Sequence, residues 1–176
     1  LANSLIDMPV VLATALNKSG KNSFKNSSNI FVKNNVGINL KKTSGVLSPI
    51  DKFTNLMGYG FVNIDSENVD GVVRYLPMLA VYNANIIPSF LLEMIRISEE
   101  SSEIFISESN NFISHTNLNT GFISLPILAN GNFILHHSQS QKVNVISAQS
   151  ILENKFDLKL FENKIIVIGS SSVGLN

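Results

Sequence analysis

The clearest hydrophobic pattern lies near the C-terminus, where Ile165-Ile166-Val167-Ile168 places four β-branched apolar residues in a row. Such a run predicts a strand that is buried on both faces. The strand leads directly into a loop of small residues, from Gly169 to Gly174. Because open α/β sheets bind ligands outside the carboxyl ends of their strands, this loop is the candidate ligand site. The predicted ligand-binding residues are Gly169, Ser170, Ser171, Ser172 and Val173.

An amphipathic pattern behind Pro88-Ser89 predicts the main helix. Its polar members, Glu93 and Arg96, are expected to face solvent. Acidic residues at 99 and 100 oppose the helix dipole, so the helix is predicted to end near Ser98. A second helix is predicted from a Ser147 cap to about residue 154. The apolar positions of the first helix are Phe90, Leu91, Met94, Ile95 and Ile97.

Shorter apolar segments between turn residues predict strands. Residues 10–13 read as a short buried strand, and residues 30–36 as an edge strand. Asp70-Gly71 and Asn130-Gly131 each lie between apolar segments and predict a β-hairpin. The expected fold class is α/β in the α+β sense. It is a mixed, largely antiparallel sheet flanked by helices, with Ile165–Ile168 as an inner strand and residues 1–176 as a single domain.

Composition narrows the classes of function. The chain has 176 residues, is 44% hydrophobic and carries no net charge, so it can bury a core and has no basic face for nucleic acid. It contains no cysteine, which excludes thiolate catalysis, disulfides and cysteine metal sites. No stretch is long and apolar enough to span a bilayer. Asn and Ser make up about a quarter of the chain, which AT-rich coding explains, the alternative being a surface for carbohydrate or another polar ligand.

Two carboxylates and an arginine cluster around the first predicted hairpin. Asp65 and Asp70 could act as acid and base or as ligands of a hard cation. The favoured interpretation is structural. Asp70 supplies turn hydrogen bonds, Gly71 takes a positive φ, and Arg74 pairs with an acid.

The remaining candidates for chemistry are weak. The adjacent His136 and His137 point to opposite faces of a strand, and His115 with one of them gives too few ligands for zinc. No Gly-x-Ser-x-Gly elbow is present, and the Gly169 loop lacks the Lys-Ser/Thr pair of a nucleotide-triphosphate loop. That loop could equally be a tight packed turn that needs small residues. We therefore predict no catalytic residue, no metal and no cofactor.

The motifs together resemble the type-two CHASE domain, an extracytoplasmic sensor module of bacterial nucleotide cyclases and sensor kinases. The resemblance rests on Gly60-Phe61-Val62-Asn63, on Asp65 and Asp70-Gly71-Val72-Val73-Arg74, and on the closing segment 160–171. We expect Gly60, Asn63, Asp65, Asp70, Gly71 and Arg74 to form a structural motif. The family's members usually begin with a membrane helix and further sheet elements, so the resemblance implies a module truncated at both ends.

The function implied by the resemblance is an input domain that is not itself an enzyme. It would sense a small molecule or protein outside the cytoplasmic membrane, in the periplasm or at the cell surface. Flanking membrane helices would anchor the parent protein, and a homodimer is a further partner to expect. The alternative from another class is a structural or dimerisation domain of a membrane protein. A third, an enzyme that uses the Gly169 loop as an anion site, lacks a nucleophile or base.

Overall fold

The computed structural model describes residues 3–6, 8–17, 29–33, 36–50, 53, 58–64, 71–108, 116–136 and 144–170. The chain divides into two compact units, Leu1–His137 and Ser138–Asn176. The first unit holds almost all of the regular structure. The described part of the second unit contains one short helix, α2 (Ala148–Leu152), and a 3-10 helix at Leu158–Leu160. A further 3-10 helix, Asn3–Leu5, opens the described part of the first unit.

Twelve strands and one long helix are found in the described part of the first unit. The helix is α1 (Phe90–Ser98). The strands are β1 (Val11–Asn17), β2 (Asn29–Val32), β3 (Lys42–Thr43), β4 (Gly45–Leu47), β5 (Gly58–Phe61), β6 (Tyr75–Pro77), β7 (Leu79–Tyr82), β8 (Asn85–Pro88), β9 (Glu103–Glu108), β10 (Thr116–Thr120), β11 (Ile123–Ile127) and β12 (Asn132–Ile134).

Among the described residues these strands form four small sheets. Their orders are β4-β1-β5, β11-β10-β9-β2, β12-β6 and β3-β7-β8. Three pairings are parallel: β1 with β5, β2 with β9 and β3 with β7. The other pairings of named strands are antiparallel. The predicted fold class, a mixed and largely antiparallel α+β architecture, is confirmed, although the helices are few.

The core of the first unit lies between α1 and the inner faces of the sheets. Met78, Leu92, Ile104, Ile106 and Leu118 are fully buried and belong to one cluster. On β9 and β10 the buried side chains alternate with more exposed ones, as expected for strands that cover a core with one face. A second cluster includes Val46, Phe61 and Ile87.

The long helix begins where the sequence predicted. Ser89 is its N-cap, and the Ser89 hydroxyl accepts a hydrogen bond from the Leu92 N–H at 3.2 Å. The helix ends at Ser98, also as predicted. The helix from Ser147 is confirmed as well, with Ser147 capping α2, although α2 already ends at Leu152.

The prediction that Glu93 and Arg96 face solvent is wrong. Glu93 is 0% exposed and Arg96 is 6% exposed. Arg96 donates two hydrogen bonds to the Glu93 carboxylate, at 2.9 and 2.7 Å, and a third to the Ser101 carbonyl. The helix is packed on more than one side. The positions of its polar residues therefore did not indicate which face is exposed to solvent. The ion pair and its hydrogen bonds compensate for the loss of water around both charges.

The prediction of an inner strand at Ile165–Ile168 is also wrong in this structure. Residues 164–170 join no sheet, and the four side chains from Ile165 to Ile168 are 63, 55, 66 and 94% exposed. A β-branched run favours extended backbone, but a strand also needs a neighbour whose N–H and C=O groups complete its ladder. The described part of the second unit contains no other strand that could serve.

The two predicted hairpins are wrong as strand pairings. The segments on either side of residues 65–70 belong to different sheets, since β5 pairs with β1 and β6 pairs with β12. Near the second turn, Gly131 has a φ of 82° and donates to the Leu128 carbonyl at 2.8 Å. The turn therefore exists, but β11 pairs with β10 and β12 with β6. Tertiary pairing has overridden the local hairpin signal.

Candidate functional site

The parallel strands β1 and β5 bring two carboxyl ends to one edge of their sheet. Their register pairs Val11 with Gly58 and Thr14 with Phe61, and the Val62 N–H continues the ladder to the Thr14 carbonyl at 3.0 Å. Beyond Val62 the chain of β5 turns away, while β1 runs on to Asn17. Open α/β sheets form ligand crevices at such ends.

The side chain of Asn63 replaces the missing part of β5. Its Oδ1 accepts the Leu16 N–H at 2.5 Å, and its Nδ2 donates to the Leu16 carbonyl at 3.3 Å. A side-chain amide carries the same donor and acceptor as a peptide group. Asn63 therefore satisfies the backbone of β1 where β5 no longer does, and its amide is held in a fixed orientation at the sheet edge.

Two glycines bring β5 close to α1. A Cβ added at Gly60 would lie 2.4 Å from the Phe90 Cα and 2.5 Å from the Ser89 carbonyl oxygen. A Cβ added at Gly58 would lie 2.6 Å from Ile97 Cδ1 and 2.8 Å from Glu93 Cγ. Only glycine permits this approach, which fixes β5 against the helix that carries the buried ion pair.

A cavity of about 170 Å³ lies at the carboxyl ends of β1 and β5. Its polar lining residues are Asn17, Lys41, Lys42, Thr43 and Asn63. Its apolar lining residues are Leu16, Phe61, Ile64, Pro77, Leu79 and Ala80. Phe61, Leu79 and Ala80 are buried and belong to the core, so the apolar wall is part of the packed interior. The cavity thus combines a rigid apolar wall with polar groups from β1, from β3 and from the segment that follows β5.

The charged side chains among the described residues around this cavity have one sign. Among the described residues that line it, Lys41 and Lys42 are charged and none is acidic. Lys42 is on β3, which pairs in parallel with β7 at the register Lys42–Val81. Thr43 is tied down, since its hydroxyl donates to the Gly45 carbonyl at 2.9 Å. A concave site lined by charges of a single sign attracts ligands of the opposite sign.

The residues predicted to form a structural motif lie in different parts of the structure. Gly60 and Asn63 lie at the β5 end of the cavity region, and Gly71 has a φ of 72° ahead of β6. The Arg74 carbonyl accepts the Leu135 N–H at 2.8 Å, which ties this segment to the end of β12. Asp65 and Asp70 lie outside the described residues. The structural role of the motif stays a prediction.

The predicted ligand loop belongs to the second unit. Gly169 and Ser170 are exposed, and a Cβ at Gly169 would meet nothing within 4 Å. Ser171, Ser172 and Val173 lie outside the described residues. The loop follows no buried strand in this structure, so the argument that selected it loses its premise. A ligand site there stays a prediction without structural support.

Sequence reasoning missed the lysine pair and Thr43. The only signal was the local sequence Lys41-Lys42-Thr43, which does not stand out in a chain with scattered lysines. Its importance follows from two parallel pairings, β1 with β5 and β3 with β7, that join distant segments. Histidine gave no site either: His136 is exposed, and His115 and His137 lie outside the described residues. Within the described ranges, no group of three or more acidic or histidine side chains is placed to hold a metal ion.

Comparisons with known proteins identify one family. The model of the CHASE2 domain matches residues 7–176 of the chain. Searches of curated proteins and of solved structures gave no match. None of the helices in the part of the chain that the structure describes is both long and apolar enough to cross a bilayer.

Proposed function

Because the chain belongs to the CHASE2 domain family, whose members are extracellular sensory domains of receptors, we propose that it is the signal-sensing input domain of a bacterial membrane receptor. The receptor's output is a nucleotide cyclase or a sensor kinase, and helices outside this sequence anchor it in the cytoplasmic membrane. The observation that carries the proposal is the family match over residues 7–176. The family is sensory and non-catalytic, so the output chemistry belongs to another domain of the receptor.

The cavity at the ends of β1 and β5 is the input site in this proposal. A ligand acts as a signal only if it binds two conformations of the domain with different affinities. A ligand in the cavity contacts residues of both parallel strands and of β3, including Leu16, Asn63 and Lys42. It therefore favours the conformation in which these three segments are held together.

A shift of β5 is transmitted to α1 because the two elements are in direct contact. Gly58 and Gly60 leave no gap between the strand and the helix, since even one added carbon would overlap it. Packed interiors move as rigid pieces with discrete arrangements. A small displacement of Asn63 and β5 thus moves α1, and with it the buried Glu93–Arg96 pair.

The test uses two exposed positions of nearly equal exposure on the same segment. Ile64 is 50% exposed and lines the cavity, whereas Val62 is 49% exposed and does not. In the full-length receptor, Ile64→Trp fills the cavity mouth, and Val62→Trp is the matched control. The measurement is the change in cyclic-nucleotide formation or autophosphorylation when fresh growth medium is replaced by spent medium.

We expect Ile64→Trp to abolish this response, and Val62→Trp to retain it with basal output unchanged. An equal response in both variants and the parent contradicts the cavity as input site. A receptor that responds fully after deletion of the whole domain contradicts the sensor function itself.

The extracytoplasmic location has its own test. Phe122 is fully exposed and the chain contains no cysteine, so Phe122→Cys introduces a single accessible thiol in this domain. In intact cells, a membrane-impermeant maleimide should label that thiol as completely as it does after lysis, while a cytoplasmic control protein is labelled only after lysis. Labelling of the Phe122→Cys variant only after lysis would contradict the location.

A second candidate function, dimerisation, is favoured by one surface feature. Phe31 and Phe105 face each other across the parallel β2–β9 ladder, and their rings stack with centroids 5.5 Å apart. Phe31 is nevertheless 46% exposed and Phe105 is 40% exposed. A second copy of this chain would bury that pair. Sedimentation equilibrium of the parent and of Phe105→Ser decides: a dimer lost in the variant supports a dimerisation role, and a monomeric parent removes it.

A further inference from the structure

We infer that the cavity at the carboxyl ends of β1 and β5 binds a small organic anion, a carboxylate with a compact apolar body. This inference deepens the proposed sensor function and rests on it for its biological meaning. The binding chemistry itself depends only on the residues around the cavity. Three properties of these residues point to this class of ligand: their charge, their hydrogen-bond donors and their apolar wall.

Charge selects an anion. Lys42 projects from β3 at the cavity and forms no ion pair within the described residues. None of the described residues that line the cavity is acidic. A cation would meet the like charge of Lys42 and no acidic side chain among these residues. A neutral molecule would leave the ammonium group without a charged partner, whereas a carboxylate gives Lys42 a charge-assisted hydrogen bond.

The Asn63 amide supplies an oriented donor. One hydrogen of Nδ2 serves the Leu16 carbonyl, and Oδ1 is occupied by the Leu16 N–H. An amide nitrogen carries two hydrogens, so the second remains for a ligand. Because the Leu16 backbone fixes the amide, this donor is preorganised, and little ordering entropy is lost when a carboxylate oxygen binds.

The volume of the cavity and its apolar lining favour a compact organic acid. The volume of about 170 Å³ is below the roughly 300 Å³ at which pockets for drug-sized ligands begin. Leu16 is partly exposed and Ile64 is exposed, and they present apolar surface that inorganic phosphate or sulfate cannot use. A branched aliphatic body would cover this wall while its carboxylate reaches Lys42 and Asn63. The residues fit a short-chain organic acid better than a bare inorganic anion.

The experiment compares molecules that differ in one property at a time. Isobutyrate has the carboxylate and a branched apolar body, isobutyramide has the same shape without charge, and inorganic phosphate has charge without an apolar body. Each is titrated at millimolar concentration into the ¹⁵N-labelled chain. The Asn63 side-chain amide and the Lys42 and Thr43 backbone amides report on the cavity.

Two lysine variants control for net charge. Lys42→Met keeps an unbranched apolar stem but removes the charge, and Lys33→Met removes the same charge from an exposed residue that does not line the cavity. We expect isobutyrate to bind with shifts at the three reporters. Lys42→Met should weaken binding about five- to tenfold, Lys42→Arg should restore it, and Lys33→Met should leave it unchanged.

Several results of this titration would overturn the inference. Isobutyramide binding as tightly as isobutyrate, equal binding by Lys42→Met and parent, or no shift at the reporters each overturns the inference. Phosphate binding more tightly than isobutyrate overturns the organic-acid class and leaves an adventitious ion only. The Ile64→Trp receptor assay tests the sensor role separately from anion binding. If the anion binds at Lys42 but Ile64→Trp leaves the receptor's response intact, the cavity is an anion site but not the input site.

Discussion

Asn63 and Leu16, which lie 47 positions apart in the chain, are joined by two hydrogen bonds between the Asn63 side-chain amide and the main-chain N–H and C=O of Leu16. Through them a residue beyond the end of β5 continues the parallel ladder of β1. The pair also defines one side of the cavity, since both residues line it. Asn63 thus has two roles: its side chain completes the hydrogen bonding of the sheet, and it lines the candidate site.

Replacing Asn63 should reveal this double role. Asn63→Ala removes both hydrogen bonds and should lower the free energy of unfolding by about 1–2 kcal/mol, because the contact is partly open to water. Asn63→Asp should be at least as harmful, since it keeps an acceptor for the Leu16 N–H but turns a carboxylate oxygen toward the Leu16 carbonyl. Urea unfolding measures both. Asn85→Ala, which loses only a bond to the neighbouring Asn83 carbonyl, is the control and should cost less than either.

Gly60 should tolerate no side chain. Gly60→Ala places a Cβ 2.4 Å from the Phe90 Cα, and the obstacle is backbone that cannot rotate away. We expect a loss of about 1–3 kcal/mol, typical of overpacking, with a lower melting temperature in calorimetry. Gly37→Ala is the matched control, because a Cβ there meets nothing within 4 Å and the backbone carries no positive φ. Equal melting temperatures for the two variants would show that β5 and α1 are not in the close contact described.

The buried pair Glu93–Arg96 should be costly to break from one side. Arg96→Met removes the guanidinium from the Glu93 carboxylate, which is 0% exposed, and should destabilise the chain by about 3–5 kcal/mol in urea unfolding. The double variant Glu93→Leu/Arg96→Met should recover much of that loss, because no charge is then stranded. Lys155→Met, which breaks an exposed ion pair with Glu153, should change the unfolding free energy very little. A double variant as unstable as Arg96→Met would contradict this explanation.

Glu153 should show a small pH effect of defined sign. Hydrogen bonds from Lys155 and Gln149 hold the pKa of the Glu153 carboxyl below its ordinary value, with Lys155 as the larger cause. A depressed pKa in the folded state stabilises that state above the ordinary glutamate pKa. The contribution is therefore present at neutral pH and is lost as the pH falls through the folded pKa. An NMR titration of the Glu153 carboxyl checks the direction, and Lys155→Met should move its midpoint upward.

Local sequence signals determined the parts of the fold that depend on a few neighbouring residues. The helix after Ser89 and the cap at Ser147 follow from side-chain hydrogen bonding at a helix start. The edge position of β2 and the positive φ of Gly71 follow from short stretches of sequence as well. The motifs from Gly60 to Arg74, together with the closing segment 160–171, indicated the family, which the match over residues 7–176 confirms.

Tertiary pairing decided the rest, because ladder partners distant in sequence leave no local trace. Helical spacing did not indicate that Glu93 would be buried, because its burial depends on β5, whose Gly58 packs directly against the Glu93 side chain. Nor could β propensity make a strand of Ile165–Ile168 when the described part of its unit supplies no pairing strand. The cavity itself exists only because parallel pairings bring β1, β3, β5 and β7 together from segments far apart in the chain. Periodicity encodes which backbone geometry a segment prefers, whereas the site depends on which segments meet.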